Sequence, residues 1–432
     1  MLIGIDVRPL MHGRTSGVEN YIRSLLKEIF VQDADNRYVL FYNSFRDRGD
    51  FLKGLEDGKR IQVVRTRFPN KLLHILWRFF SWPKIDRLIE KRIGKKIDIF
   101  FVPDPRPSPV SSSVRKVITF HDLAFERYPQ HFSWRSRLWF NVLNPGREIQ
   151  TSHRLIAVSE FTKKELIDIY KVPEAKIIVI PEAAPGVLEP EIDEARLVEV
   201  KKKYNLPDRF FLTFSTIEPR KNIESVVKAF ALFQKKYPLE TYRLVLAGRY
   251  DPKMFGKVFV EEGHPDLFIT GFIDEADKPA VYSLARGLVF VSTYEGFGLP
   301  ILEAMACGTP VIASSVASMP EVAGEAGILV QPYDIDQIAE AMCRLTMDDF
   351  FNEYREKGLA HVKTFSWKKA AKETLKVLMT LGSGLRRGYS PPPQEGTFFG
   401  SGSSKNPSGN AASTNTPSFP ADEVIFHFSF RM

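Results

Sequence analysis

A chain of 432 residues with 44% hydrophobic content is too long for one ordinary core and apolar enough to build two. It has no run of about 18 apolar residues, which argues against a membrane-spanning helix, and its start, Met1-Leu2-Ile3-Gly4-Ile5-Asp6, lacks the basic flank and cleavage site of a signal peptide. The formal charge of +8 asks for an anionic partner: nucleic acid, anionic lipid or a phosphorylated substrate.

Short β-branched runs alternate with helical patterns from the beginning, the mark of parallel α/β units. A strand is predicted over Leu2–Val7, then a loop with Gly13 and Gly17, then a helix over Val18–Phe30. Those glycines can bring backbone N–H groups to a phosphate or leave room for an acceptor, and plain turn glycines would look the same. Strands over Tyr38–Tyr42 and Ile61–Arg65 come next. Cations then gather among aromatics, from Lys71 through Trp77, Arg78, Phe79, Phe80, Trp82 and Lys84 to Arg87, Lys91, Arg92, Lys95 and Lys96. Such a stretch suits a membrane interface, where rings enter and cations meet lipid phosphates, and reads equally as a core helix followed by a solvated one.

Strands are predicted over Ile97–Val102 and Lys116–Phe120, the second running into His121-Asp122-Leu123. A histidine there can face an interdomain cleft and orient a sugar or handle a proton near neutral pH, although a satisfied structural histidine gives the same sequence. A helix over Trp134–Gln150, a strand over Arg154–Val158, a helix over Glu160–Tyr170 and a strand over Lys176–Ile180 complete this half. Prolines 181, 185 and 190, in a polar stretch, mark the boundary to the next βα series.

In the second half strands are predicted over Phe210–Ser215, Tyr242–Ala247, Leu267–Thr270, Leu288–Ser292, Pro310–Ala313 and Ile328–Val330. Helices fit Ile223–Lys235, Glu275–Ala285, Pro300–Cys307, Ile335–Leu345 and Trp367–Leu381. From Gly382 the Pro/Gly/Ser-rich texture predicts a disordered tail. Cys307 and Cys343 lie in apolar helical patterns without metal-ligand spacing, so buried thiols in a reducing compartment, the cytoplasm, are expected.

In doubly wound folds ligands bind beyond the carboxyl ends of strands, which directs attention to two loops. In Tyr294-Glu295-Gly296-Phe297-Gly298-Leu299-Pro300 the glycines allow close backbone approach and the proline fits a first helical turn whose free N–H groups favour phosphate. Glu295 on the loop and Glu303 in the first turn of that helix suit a ligand with vicinal hydroxyls; equally, the glycines form a turn and Glu303 complements the helix dipole. Glu218-Pro219-Arg220-Lys221-Asn222 puts two cations at a helix start, where the dipole disfavours them. A diphosphate between the loops would compensate them, as would a salt bridge to Glu218 or Glu224. No GxGxxG follows the first strand, and no Walker lysine, HExxH or GxSxG occurs.

Together these segments resemble family 4 of the retaining glycosyltransferases. The matching residues are Tyr294 to Pro300 with Glu303-Ala304-Met305-Ala306, the paired glutamates of its E-x7-E signature, and Cys307-Gly308-Thr309-Pro310, Met319-Pro320-Glu321 and Glu218-Pro219-Arg220-Lys221-Asn222. Leu246-Ala247-Gly248, Thr270-Gly271-Phe272, Phe120-His121-Asp122-Leu123 and Val158-Ser159-Glu160-Phe161-Thr162 extend the likeness over roughly residues 1–381. The resemblance implies an α/β GT-B fold, two doubly wound Rossmann-like domains facing a cleft. Residues 1–185 would form the acceptor-side domain, 186–365 the nucleotide-sugar domain and 366–381 a crossover helix returning to the first, with 382–432 as the tail.

The resemblance further implies that Arg220 and Lys221 neutralise the donor diphosphate, Glu303 holds the ribose hydroxyls and Glu295 those of the transferred sugar. Gly296, Phe297, Gly298 and Leu299 would line sugar and phosphate, and Gly271, Phe272 and Ile273 would frame the base. His121 would face the sugar at the reaction centre, with Gly13 and Gly17 on the acceptor side. No metal and no further cofactor are expected. The partners expected are a nucleotide-diphosphate sugar, GDP-mannose by preference, a lipid-linked or polysaccharide acceptor, and an anionic membrane surface on the inner face of the plasma membrane; nucleic acid is not expected. A soluble sucrose- or starch-synthase-like transferase and a nucleotide-sugar epimerase are the alternatives. Two departures concern loop shape: Ser215 precedes Thr216 where the family often has glycine, and Pro181-Glu182-Ala183-Ala184 stands where Pro-Asn-Gly is common.

Overall fold

The computed structural model describes residues 1–386 except 13–16, 46–48, 56–59, 133, 135–136, 138–139, 141–142, 187, 216–217 and 249–265. Two parallel sheets carry the fold. The first contains β1 (Leu2–Asp6), β2 (Arg37–Asn43), β3 (Ile61–Thr66), β4 (Ile99–Val102), β5 (Arg115–Phe120), β6 (Arg154–Ala157) and β7 (Ile177–Val179), in the order β3-β2-β1-β4-β5-β6-β7. The second contains β8 (Phe210–Phe214), β9 (Arg243–Ala247), β10 (Leu267–Gly271), β11 (Gly287–Phe290), β12 (Val311–Ser314) and β13 (Gly327–Val330), in the order β10-β9-β8-β11-β12-β13. The strand order reverses between β1 and β4 in one sheet and between β8 and β11 in the other, and such a reversal opens a crevice at the strands' carboxyl ends.

The sequence explains the layering. Phe-Phe-Leu-Thr-Phe of β8 and Ile-Phe-Phe-Val of β4 are near-continuous apolar runs because helices cover both faces of each sheet. Four apolar clusters result, two per sheet. The helix Trp367–Arg386 belongs to the first-sheet core: Trp367, Ala370, Ala371, Leu375 and Leu378 are buried with Ile3, Ile5, Ile22 and Leu26. It runs five residues beyond Leu381; the rest of the expected tail, from residue 387, lies outside the described residues.

Some helical boundaries differ from expectation. No single helix spans Trp134–Gln150, because Asn144 adopts φ 48° and a new helix, Pro145–Thr151, starts behind it. The proline has no N–H to give to a preceding turn, and the Asn144 side chain accepts from Arg147 N instead. The basic aromatic stretch forms two helices, Asn70–Phe80 and Ile85–Ile93. Leu73, Trp77, Ile85 and Ile89 are buried, whereas Leu72, Ile75, Phe79, Phe80 and Trp82 remain exposed. One face of the stretch is therefore core, and the other carries rings in solvent. Of the thiols, Cys307 is buried and Cys343 only half-buried.

Candidate active site

A cavity of about 370 Å³ lies where the carboxyl ends of the two sheets meet. Gly17, His121, Asp122 and Glu182 reach it from the first sheet. Arg220, Lys221, Phe272, Ile273, the run Glu295 to Pro300, and Glu303 reach it from the second. Gly271, at φ 72° on the end of β10, is not among the lining residues, and Gly13 lies outside the described residues.

The loop after β11 is built for close approach. Gly298 sits at φ 112°, which L side chains rarely adopt, and the helix Leu299–Ala306 follows with Pro300 in its first turn. The Ser318 hydroxyl lies 2.9 Å from Glu295 O and 2.7 Å from Phe297 O. The hydroxyls of Ser159 (2.6 Å) and Thr162 (3.0 Å) donate to Gly296 O from the other domain. Among the described residues no partner takes the N–H groups of Gly296, Phe297, Gly298 or Leu299. With its carbonyls turned away and held, the loop offers donors to an anion.

Glu295 joins the loops on either side of the strand reversal. Its carboxylate accepts from Arg220 Nη1 at 2.7 Å and Lys221 Nζ at 2.5 Å. Burial opposes its ionisation, but the two cations outweigh burial and hold its pKa down at about 2. Burial and then the neighbouring Arg220 lower Lys221 in turn. The cations stand at a helix start as expected: they occupy the short turn Pro219–Lys221 just ahead of the helix Ile223–Lys236, with Asn222 at φ 54° between. The salt-bridge alternative is partly realised, since Arg220 also meets Glu218 at 2.8 Å, whereas Glu224 pairs with Lys228. With two cations against Glu295 and Glu218, a bound diphosphate would have to share or displace these carboxylates.

Glu303 lies one residue further into its helix than expected, just past the first turn, yet it lines the cleft. It accepts from Tyr282 Oη at 2.8 Å and stands 3.6 Å from Lys278 Nζ, which also pairs with Glu275 at 2.9 Å. Burial and the Glu303 charge both push the Tyr282 hydroxyl well above its ordinary range, so it stays a donor. Tyr282, Lys278 and Glu275 come from the helical region 275–284, whose sequence predicts a helix but gives these side chains no role.

His121 follows β5, with Nδ1 2.8 Å from Glu182 Oε1 and Nε2 2.9 Å from Pro103 O. Burial works against a charged ring, but the Glu182 hydrogen bond and charge, Asp104 and the Pro103 carbonyl outweigh it and raise the pKa to about 9. The ring therefore does not titrate near neutrality, as the sequence reading allowed. In the sequence Glu182 shows only as a departure in loop shape, a carboxylate where an amide is common.

The domains also meet beside the cleft. A Cβ on Gly296 would overlap the His121 carbonyl oxygen and stand 2.7 Å from its carbon. Tyr294 Oη accepts from Leu123 N at 3.0 Å, and Glu321 accepts from Glu160 N at 2.9 Å.

The chain is similar to known proteins in sequence and in fold. Residues 208–348 match the model of the glycosyl transferases group 1, and residues 15–184 that of glycosyltransferase family 4. The chain is 34% identical over 270 residues to O-antigen chain mannosyltransferase B of Escherichia coli, covering 60% of this chain and 69% of that one. It is 34% identical over 241 residues to the serotype-specific mannosyltransferase WbdA of Escherichia coli, covering 53% of this chain but only 29% of that longer protein. Sucrose-phosphate synthase from Thermosynechococcus elongatus superposes with a TM-score of 0.67 at 21% identity, over 89% of this chain and 100% of that one, a likeness of fold.

Proposed function

The chain belongs to glycosyltransferase family 4 and has the GT-B fold, and on that premise we propose that it transfers a hexose from a nucleotide-diphosphate sugar to a glycan hydroxyl in cell-surface polysaccharide synthesis. The observation that carries this reading is the buried Glu295 bridged to Arg220 and Lys221 at the ends of β8 and β11, beside a loop of unengaged N–H groups. Mannose is the preferred sugar, because the relatives at 34% identity are mannosyltransferases, and GDP is the nucleotide we propose to carry it.

In the reaction the bond from the anomeric carbon to the diphosphate oxygen breaks, and its electron pair stays on that oxygen. Arg220, Lys221 and the N–H groups of residues 296–299 stabilise the developing charge. The acceptor oxygen attacks from the same face, its proton passes to the departing phosphate, and configuration is retained. Glu303 holds the ribose, Glu295 the sugar hydroxyls, and His121 faces the sugar.

The acceptor is a lipid-linked or polymeric glycan. None of the described helices is long and apolar enough to cross a membrane. We assign the exposed Phe79, Phe80 and Trp82, with exposed Lys71, Arg87, Lys91 and Arg92 nearby in sequence, to an anionic membrane surface on the cytoplasmic face.

The test is nucleoside-diphosphate release from GDP-, UDP-, dTDP- and ADP-sugars, with and without a lipid-linked glycan acceptor. Acceptor-dependent GDP release from GDP-mannose is expected. Failure of every donor to turn over would sink the assignment, and an epimerised sugar formed without glycosylation would replace it by the epimerase alternative.

A further inference from the structure

The environment of His121 allows few protonation states. Pro103 O can only accept, so Nε2 must carry a proton to make its 2.9 Å contact. The Glu182 carboxylate 2.8 Å from Nδ1, when ionised, can also only accept, so Nδ1 must carry the second proton. Glu182 is buried, and its loop is pinned from behind: Ala183 lies in the first-sheet core and Trp367 Nε1 donates to Ala184 O at 3.0 Å. The Tyr21 ring packs edge-on against the imidazole at 4.6 Å and closes another side.

We propose that Glu182 is a positioning residue that holds His121 as a doubly protonated cation, with both N–H groups spent on the protein, so that His121 presents a fixed positive charge to the cleft and takes no part in proton transfer. This rests on the transferase reading for its consequence, but not for its geometry. The charge of His121 is set by Glu182 and Asp104, with Arg106 paired to Asp104 beyond them. Tyr21 contributes a neutral ring whose hydroxyl stays protonated, because burial lifts it above its ordinary range. Asp122 on the same loop, and Glu295 with its partners Arg220 and Lys221, face the cleft from their own loops.

The sign of the pH effect follows. In the wild type the charged ring is present below about pH 9 and is lost as pH rises through that value. Replacing Glu182 by Gln removes the hydrogen-bonded counter-charge while burial remains, so the ring should lose its proton well below pH 9, toward the ordinary histidine value of about 6.5, with Asp104 and the Pro103 carbonyl still favouring the cation. At pH 7.5 roughly a tenth of the molecules would then keep the cation, so kcat should fall roughly tenfold and recover near pH 5.5.

Two measurements test this. The first follows the His121 imidazole of the full chain by ¹⁵N NMR, assigned by loss of the signal in His121→Gln. Both nitrogens should show protonated shifts at pH 7.5 in the wild type and neutral-ring shifts in Glu182→Gln, with Glu182→Asp restoring the charged form. A neutral wild-type ring at pH 7.5 overturns the proposal even if donor turnover is normal. The second is the pH profile of kcat with GDP-mannose and acceptor: the alkaline limb should move to lower pH in Glu182→Gln with KM for the donor little changed. An unmoved limb, or a loss equal at every pH, also overturns it. A correct NMR titration with no turnover by any donor would instead count against the transferase reading and leave the His121–Glu182 pair standing.

Discussion

Gly296 lies directly beneath the carbonyl oxygen of His121, with no room between them for a methyl group. A Cβ at 296 would also meet Asp122 Cβ at 2.8 Å. The clash is with the other domain's backbone, so it is relieved by opening the cleft and not by unfolding. Gly296→Ala should therefore leave the melting temperature within a few degrees of wild type and reduce kcat/KM by about a hundredfold or more, as misplacing reacting groups by about 1 Å does. Small-angle scattering should report a larger radius of gyration; an unchanged radius with unchanged kcat/KM would refute the contact.

Glu295 holds two buried cations, so its removal should separate binding from transfer. Glu295→Gln leaves Arg220 and Lys221 with Glu218 as the remaining acid, at a cost of about 3 kcal/mol of stability for breaking a buried pair. The freed cations should bind nucleoside diphosphate at least as tightly as before, while sugar transfer collapses. Calorimetric titration with GDP checks the first half, and weakened GDP binding would contradict it.

The same carboxylate links stability to acid. Its folded pKa of about 2 lies below the unfolded value of about 4.3. Its contribution is thus complete above about pH 4.3 and disappears as pH falls toward 2. Chemical denaturation from pH 7 to 3 should show wild type losing stability faster than Glu295→Gln below about pH 4.3, and parallel curves would refute the assignment.

Tyr282 occupies one oxygen of Glu303. Tyr282→Phe removes one buried hydrogen bond, worth about 1 kcal/mol, and lets the Glu303 carboxylate rotate. Donor affinity should drop about fivefold, whereas Glu303→Ala should lose donor binding far more severely. Equal affinity in both variants and the wild type would take Glu303 out of the site.

The rings at the end of the helix Asn70–Phe80 make a prediction that does not involve the cleft. Replacing Phe79, Phe80 and Trp82 together by serine should abolish co-flotation with vesicles containing phosphatidylserine, and leave turnover of a water-soluble acceptor intact. Retained flotation would move the membrane contact elsewhere.

Much of this architecture is legible in the residues because parallel strands buried on both faces announce themselves. The thirteen strands among the described residues all coincide with apolar runs, to within a residue or two at their ends. Helices with weaker apolar faces were not anticipated: Glu194–Lys203 buries only Val200, and Asp348–His361 only Gly358. At the site, Glu295 and Glu303 stand out because they bracket a glycine-rich turn into a helix, and Arg220 and Lys221 because they put two cations beside a helix start. Tyr282 and Glu182 could not be found that way, since their importance depends on whom they touch: residue 303, 21 positions away, and residue 121, 61 positions away.

The return of the helix Trp367–Arg386 to the first sheet has a consequence for synthesis. The sheet through β7 is complete at Val179, but its core also needs Trp367, Ala370, Ala371, Leu375 and Leu378. At ordinary translation speeds the ribosome needs on the order of ten seconds or more to supply them. Throughout that interval the finished sheet presents an uncovered apolar groove beside the helix Gly17–Gln32, while the second sheet assembles behind it. The nascent first half is thus the stage at which a chaperone would be wanted, and a chain cut short before Trp367 would leave the groove open permanently.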